Sequence, residues 1–382
     1  MNGHFYKNFD KGTKTKLELF DAYFNESLPV FVHQKHWSDI FIYDLFAGKG
    51  LDEEGEFGTA INILKGVSQH CQSIISKKKN LYVILNDKKE HKELEKNVNA
   101  FIEECKKRCE NSHCIFEDAT SSKLVIKNED FRGYFNEIIY PRLVQKKDAI
   151  KLIFLDPFNF IMDNDLFKKL ISLPKTDFMC FIPATFLRRF PTEPTFKKFI
   201  DDYKLSFSDT RFKESHRTIA QYIRNLIPKD KDYYIGHFSI EKPQKKGTGK
   251  NYYGVIFGSN STLGAEKFQR VCWKVDTTVG EADYNIDNEP TYGGNIDLFN
   301  TKPIKIETFE NDLKNRILTN TLKTDIDVYK FALQSCFQPK FAANILKSMM
   351  QQKLIEKFTT HNSDIHNIKI PTRIIIYENN KN

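Results

Sequence analysis

The chain has 382 residues, 40% of them hydrophobic and 28% charged, which is enough apolar matter for one large domain plus a small one and too much for a disordered segment. No run of 18 apolar residues occurs and the start, Met1 to Lys7, lacks an apolar stretch, so neither a membrane span nor a secretion signal is expected and a cytoplasmic location is. Seven thinly spread cysteines fit a reducing compartment better than a disulfide framework, and a net charge of +8 favours a polyanionic partner only if it clusters on one face.

Residues 1–37 carry helical signals, with Leu17, Leu19, Phe20 and Tyr23 at mixed helical spacing, and are expected to form a helical lid ahead of the first strand. Short apolar runs then alternate with amphipathic ones. Strands are predicted at 41–43, 81–85, 114–116, 152–155, 178–182, 233–240 and 252–257, and helices at 60–75, 89–107, 134–144, 165–171 and 195–227. Strands alternating with helices imply a parallel sheet with helices on both faces. The last two strands are separated by too few residues for a crossover helix, so they form an antiparallel hairpin.

The fold expected for 38–275 is thus α/β and Rossmann-like, a parallel sheet with a C-terminal antiparallel hairpin. Residues 276–320 are polar and broken by Tyr292-Gly293-Gly294-Asn295, which reads as a linker or surface excursion. Residues 321–382 show two helices around a tight turn and then two strand-like runs, a winged-helix-like pattern. That unit is basic, with nine Lys/Arg against five Asp/Glu (9 − 5 = +4).

In an open α/β sheet a ligand sits outside the carboxyl ends of the strands, so the residues there carry the chemistry. The first strand runs into Asp44-Leu45-Phe46-Ala47-Gly48-Lys49-Gly50. Its glycines permit a sharp turn and close approach to a bound group, but it lacks both the phosphate-loop spacing and the third glycine of a dinucleotide fingerprint. Asp87 follows the second strand, where a carboxylate can accept both hydroxyls of a ribose, with Asn86 as competitor; Asp118 follows the third and can take an adenine amino group. Each aspartate can equally be a cap for the next helix. The fourth strand delivers Asp156-Pro157-Phe158-Asn159-Phe160, in which Asp156 can orient a nucleophilic nitrogen and Phe158 or Phe160 can stack on a base; the alternative is a proline turn with both rings in the core. Arg188 and Arg189, past the fifth strand, can hold nucleic acid phosphates, and the lysine-rich 242–250 can add to them or be a solvated loop.

The Asp-x-Phe-x-Gly-x-Gly loop resembles the first motif of S-adenosylmethionine-dependent methyltransferases, and Asp156-Pro157-Phe158 resembles the Asp-Pro-Pro-Tyr motif of those that methylate exocyclic amines of nucleic acids. Together with Phe57-Gly58-Thr59-Ala60 and with Phe268 to Trp273 followed by Asp276 and Gly280, the pattern is similar to the three-Cys-motif partner proteins (TcmP), methyltransferase-like bacterial proteins. The resemblance implies a class I methyltransferase sheet and an S-adenosylmethionine pocket at Asp44, Phe46, Gly48, Gly50, Asp87 and Asp118. It also implies a three-Cys-motif protein as partner but no particular substrate; catalysis at Asp156, Pro157 and Phe158 is what the likeness to Asp-Pro-Pro-Tyr implies, and substrate contacts at Phe160, Arg188 and Arg189 are expected from their place beyond the strand ends. The chain departs from the family at Thr59, Ala60 and Asn159, which keeps open a cofactor- or nucleic-acid-binding subunit without catalysis, or methylation of the partner itself. Cys105, Cys109, His113 and Cys114 can be drawn as a zinc site, yet Leu94, Val98, Phe101, Cys105 and Cys109 step as a helix stripe, so these cysteines read as core and no metal is expected.

Overall fold

The computed structural model describes residues 8–109, 114–116, 122–157, 162–208, 211–243, 249–289 and 302–377. The chain opens with α1 (Lys11–His33), started by Asp10, whose carboxylate accepts the Thr13 N–H. Leu19, Phe20, Tyr23, Phe24, Leu28, Phe31 and Val32 recur at helical spacing and are fully or almost fully buried against the sheet. This helix is therefore a layer of the main core rather than the lid expected from the sequence, and only its first turns reach past the sheet.

The chain then runs through β1 (Asp39–Asp44), α2 (Thr59–Gln69), α3 (Cys71–Ser76), β2 (Asn80–Asn86), α4 (His91–Arg108) and β3 (Ser122–Lys127). Next come α5 (Phe131–Gly133), a π-helical turn at Tyr134–Ile139, α6 (Tyr140–Gln145), β4 (Ile150–Leu155), α7 (Asn164–Ser172) and β5 (Thr176–Ile182). They are followed by α8 (Ala184–Arg189), α9 (Pro194–Tyr203), α10 (Ser215–Asn225), β6 (Tyr234–Pro243), β7 (Lys250–Ser259) and α11 (Thr262–Val275). The fold is mixed α/β, a seven-stranded sheet in the order β3-β2-β1-β4-β5-β7-β6, parallel from β3 to β5 and closed by the predicted antiparallel hairpin. Helices flank both faces, and the two cores they make with the sheet explain why β4, Ile-Lys-Leu-Ile-Phe-Leu, is buried at every position.

Four further sequence expectations need correction. The third strand is Ser122–Lys127, and 114–116 is a turn holding Cys114 and Ile115 in the core, because a three-residue apolar run is too short to show which element buries it. The helix expected over 60–75 breaks at His70, and the one over 195–227 is two helices, the first of which ends at Lys204 in a left-handed conformation. Within 276–320, read as a linker, lies α12 (Ile304–Leu318), whose Phe309, Leu313 and Ile317 are buried.

α12 packs with α13 (Asp325–Gln334) and α14 (Pro339–Gln351) into a separate core. Trp273 of α11 ties it to the sheet domain, with its ring centroid 4.2 Å from that of Phe341 and its Nε1–H donating to the Cys336 carbonyl at 3.2 Å. Two isolated antiparallel bridges, Thr324 to Arg373 and Ile355 to Ile376, join the extended segments beside α13 and α14. Gly293 and the other breaker residues at 292–295 lie outside the described residues.

The β5–β7 contact leaves no room for a side chain at Gly258, where a Cβ would meet Phe178 Cε1 at 2.2 Å. Gly258→Ala is expected to destabilise the protein by roughly 1–3 kcal/mol through overpacking, read as a lower urea midpoint at unchanged slope. An unchanged midpoint would mean that β5 and β7 are not packed this closely.

Candidate functional site

Parallel pairing sets Asp44 of β1 beside Leu85 of β2 and Phe154 of β4, so that all three strands end on one edge. The Leu45 N–H then donates to the Phe154 carbonyl at 3.1 Å and the Ala47 N–H to that of Asn86 at 3.0 Å, carrying the chain across the strand ends into the glycine loop. Gly48 and Gly50 have φ of 60° and 79°, values that glycine adopts without strain. The Gly48 N–H donates to Asp87 Oδ2 at 3.0 Å, the Gly58 N–H to the Gly50 carbonyl at 2.8 Å, and Asn97 Nδ2 to the Lys49 carbonyl at 2.8 Å. The loop is thus held in place by the protein itself.

Asp44 is fully buried, accepts the Thr59 hydroxyl at 2.5 Å and the Phe46 N–H at 3.2 Å, and has its pKa raised to about 7. Burial is the main cause, and the nearby charges of Asp156 and Asp87 add to it, so three sequence-predicted carboxylates share one electrostatic neighbourhood. Phe46 sits beside them against Phe131, ring centroids 5.0 Å apart.

Asp87 also caps the start of the following helix, accepting the Lys89 and Glu90 N–H groups at 2.8 Å each, which is the capping reading of this residue. Its competitor Asn86 is structural, buried and bonded to the Leu45 and Glu129 carbonyls. Asp118 lies outside the described residues, and since β3 begins at Ser122 it precedes the third strand instead of following it. It therefore has no claim to that strand's carboxyl end. Phe158, Asn159 and Phe160 also fall outside the described residues; Pro157 is buried at the end of β4.

Two residues here were not anticipated. Thr59 supplies the hydroxyl on Asp44, and Lys16 of α1 forms an ion pair with Asp156 and lies 4.9 Å from the centroid of the Phe181 ring. The first turns of α1 are tied across the same edge, Lys14 to Glu56 at 2.8 Å, the Phe9 N–H to Asp52 at 3.0 Å and Asp10 to Lys242 at 2.5 Å. An amphipathic pattern shows which face of a helix is buried but not what its charged flank will meet, which is why Lys16 was not legible.

Arg188 and Arg189 sit at the end of α8 and face the aromatic ring of Phe212, at 4.3 and 5.7 Å. Arg189 also donates to Asn251 Oδ1 at 2.8 Å, which fastens it to the hairpin, while Phe190 beside it is half exposed. On α4, Cys105 is buried as the helix stripe predicts, and burial with help from Cys114 and Cys109 pushes its thiol up to about 12.

A second polar cluster lies under β6. His216, His237 and Glu281 bring three ligand-type atoms within 4.8 Å of one another. Glu281 is also bound by Arg217 Nε at 2.5 Å and lies 3.4 Å from Lys305, however, so two permanent cations already neutralise it where a metal ion would add more positive charge. The cluster is an ion-pair hub. It holds 281–283 against β6, where the Ser239 N–H donates to the Glu281 carbonyl at 2.7 Å.

No protein-family profile matches the chain, and no curated protein matches it.

Lys305 and its neighbours hold the Glu281 carboxyl well below its ordinary value of 4.5, against a large opposing burial effect. A depressed acid stabilises the fold above its unfolded pKa, and the contribution is lost as pH falls through the folded one. Wild type is expected to exceed Glu281→Gln by roughly 3–5 kcal/mol in urea unfolding, with the gap constant above pH 4.5 and closing only below it. A gap already closed at neutral pH would show that Arg217 and Lys305 do not depend on this carboxylate.

Proposed function

We propose that the chain is a Rossmann-like, class I methyltransferase-type protein that binds S-adenosylmethionine at the carboxyl edge of β1, β2 and β4 and methylates a nucleic acid at an exocyclic amine. The observation that carries this reading is the convergence of Asp44, Asp87 and Asp156 behind a glycine loop already tied to Asp87. The sheet supports it as well, since parallel strands followed by an antiparallel hairpin are what the sequence resemblance implies.

In this reading Asp87 accepts a ribose hydroxyl with the lone pair that the Gly48, Lys89 and Glu90 N–H groups leave free, and Asp44 faces the cationic part of the cofactor. When bound, S-adenosylmethionine supplies an electrophilic methyl group. Asp156 accepts from the target amine and orients its lone pair. Arg188, Arg189 and the exposed rings of Phe190 and Phe212 form a basic and aromatic surface beyond β5, suited to phosphates and unstacked bases. The basic C-terminal unit is read as a winged helix contacting the nucleic acid or a three-Cys-motif partner.

A second reading is favoured by the Lys16–Asp156 pair. An aspartate neutralised by its own chain accepts a substrate amine only after Lys16 withdraws, which suits a cofactor- or nucleic-acid-binding subunit without catalysis.

Calorimetry with S-adenosylmethionine is expected to show binding that Asp87→Ala weakens at least about tenfold, the loss of one charged hydrogen bond. No heat from the intact chain would overturn the pocket. Labelled methyl transfer to DNA or RNA is expected to vanish in Asp156→Ala; cofactor binding with no transfer to either favours the second reading.

The raised pKa of Asp44 adds a pH signature. A cation placed beside it drives out its proton, so affinity is expected to rise with pH up to about 7 and binding to release protons, measured as a dependence of the heat on buffer ionisation. Asp44→Asn is expected to remove that dependence, and a pH-independent affinity in wild type would separate Asp44 from the cofactor.

A further inference from the structure

A cavity of about 560 Å³ lies at the opposite edge of the sheet, among α1, the start of β5, β6 and the first turn of α11. That volume is in the range of small-molecule sites. One wall is apolar and aromatic, with Val30, Phe31, Trp37, Ile150 and Leu263.

The polar lining is mixed, with Lys175, Lys267 and Lys330 against Asp177 and Asp232 and with the start of α11 between them. Ser261, the N-cap of the fourteen-residue α11, makes no side-chain cap bond, and Thr262 and Leu263 of the first turn line the cavity. A helix start of this kind favours negative charge. Lys267, one turn further along α11, also lines the cavity; its side chain is only 12% exposed, and its one ion-pair partner among the described residues is Glu26, at 3.8 Å. Tyr234 lines the cavity too, 2% exposed, its hydroxyl without a partner among the described residues.

The remaining charges limit the ligand. Lys330 is engaged by Asp232 and Lys175 by Asp148 at 3.1 Å, while Asp177 accepts the Tyr23 hydroxyl at 2.7 Å and lies against Gly264, where a Cβ would come within 2.9 Å of its Oδ1. With one acid already at the helix start, a ligand carrying two negative charges is disfavoured and one carrying a single charge is matched by Lys267.

We propose that this cavity binds a small, ring-bearing monocarboxylate, its carboxylate held by the start of α11, Lys267 and Tyr234, and its ring against Phe31 and Trp37. The site is separate from the carboxyl edge of the strands and does not depend on what binds there.

The test is calorimetry on the full chain with indole-3-carboxylate, its uncharged carboxamide and phenyl phosphate. The carboxylate is expected to bind at least about tenfold more tightly than either of the others, to lose at least about tenfold in Lys267→Met, and to lose all binding in Leu263→Trp, which fills the cavity. Melting temperatures of the two variants within a few degrees of wild type show that they fold. The proposal is overturned if the carboxylate shows no binding at about 1 mM, if the amide binds as well, or if neither substitution changes the affinity. A negative result here leaves Asp87-dependent binding of S-adenosylmethionine unaffected, so the two readings fail independently.

Discussion

The register of β1 between β2 and β4 is the constraint from which the rest of the candidate site follows. Three parallel strands paired over nearly their whole length end together, and each ends in or just before an aspartate, so the carboxylates meet whatever the intervening helices do. A one-residue slip would turn Asp44 to the opposite face and put a core side chain in its place. The energetic cost of gathering three acids is visible in Asp44, held near neutrality by burial and by its two neighbours. A fully buried, raised carboxylate at a strand end, with two more acids beside it, is unusual as pure structure, because capping alone needs no burial.

α1 connects the two edges of the sheet. Lys16 pairs with Asp156 at the carboxyl edge, and two turns later Tyr23 donates to Asp177 at the other, a span of about 10 Å set by the helical rise. Between them the helix buries aromatic residues against β4 and β7, Phe20 against Phe154 and Tyr23 against Phe257. One rigid element therefore borders both the candidate cofactor edge and the separate cavity, with its exposed ion pairs at Lys14 and Asp10 confined to the first of these.

The C-terminal unit is joined to the sheet domain by specific contacts. Trp273 fits under Gly280, whose φ of 61° lets the chain turn tightly over the indole, and Phe337, Phe341 and Lys305 close around the ring. Asp276, buried just after α11, accepts four backbone N–H groups from Thr278 to Ala282 and so shapes the turn that delivers Glu281 to Arg217. None of the described helices is long and apolar enough to cross a membrane.

Local pattern determined much of this. Largely apolar runs such as that of β4, alternating with amphipathic helices, specify buried parallel strands, and the short link between the last two strands compels a hairpin, because no crossover fits. Asp44, Gly48, Asp87 and Asp156 were legible for the same reason: strand ends are where sequence spacing and spatial position coincide. What lies outside that coincidence was decided only by tertiary structure. The third strand was misplaced, and Asp118 with it, because three apolar residues in a turn can fill the core as well as a strand can. Lys16, Thr59, the Glu281 hub and the uncapped start of α11 each depend on partners far away in the chain, and burial, which makes those contacts strong, is a property of the folded chain that no local spacing records.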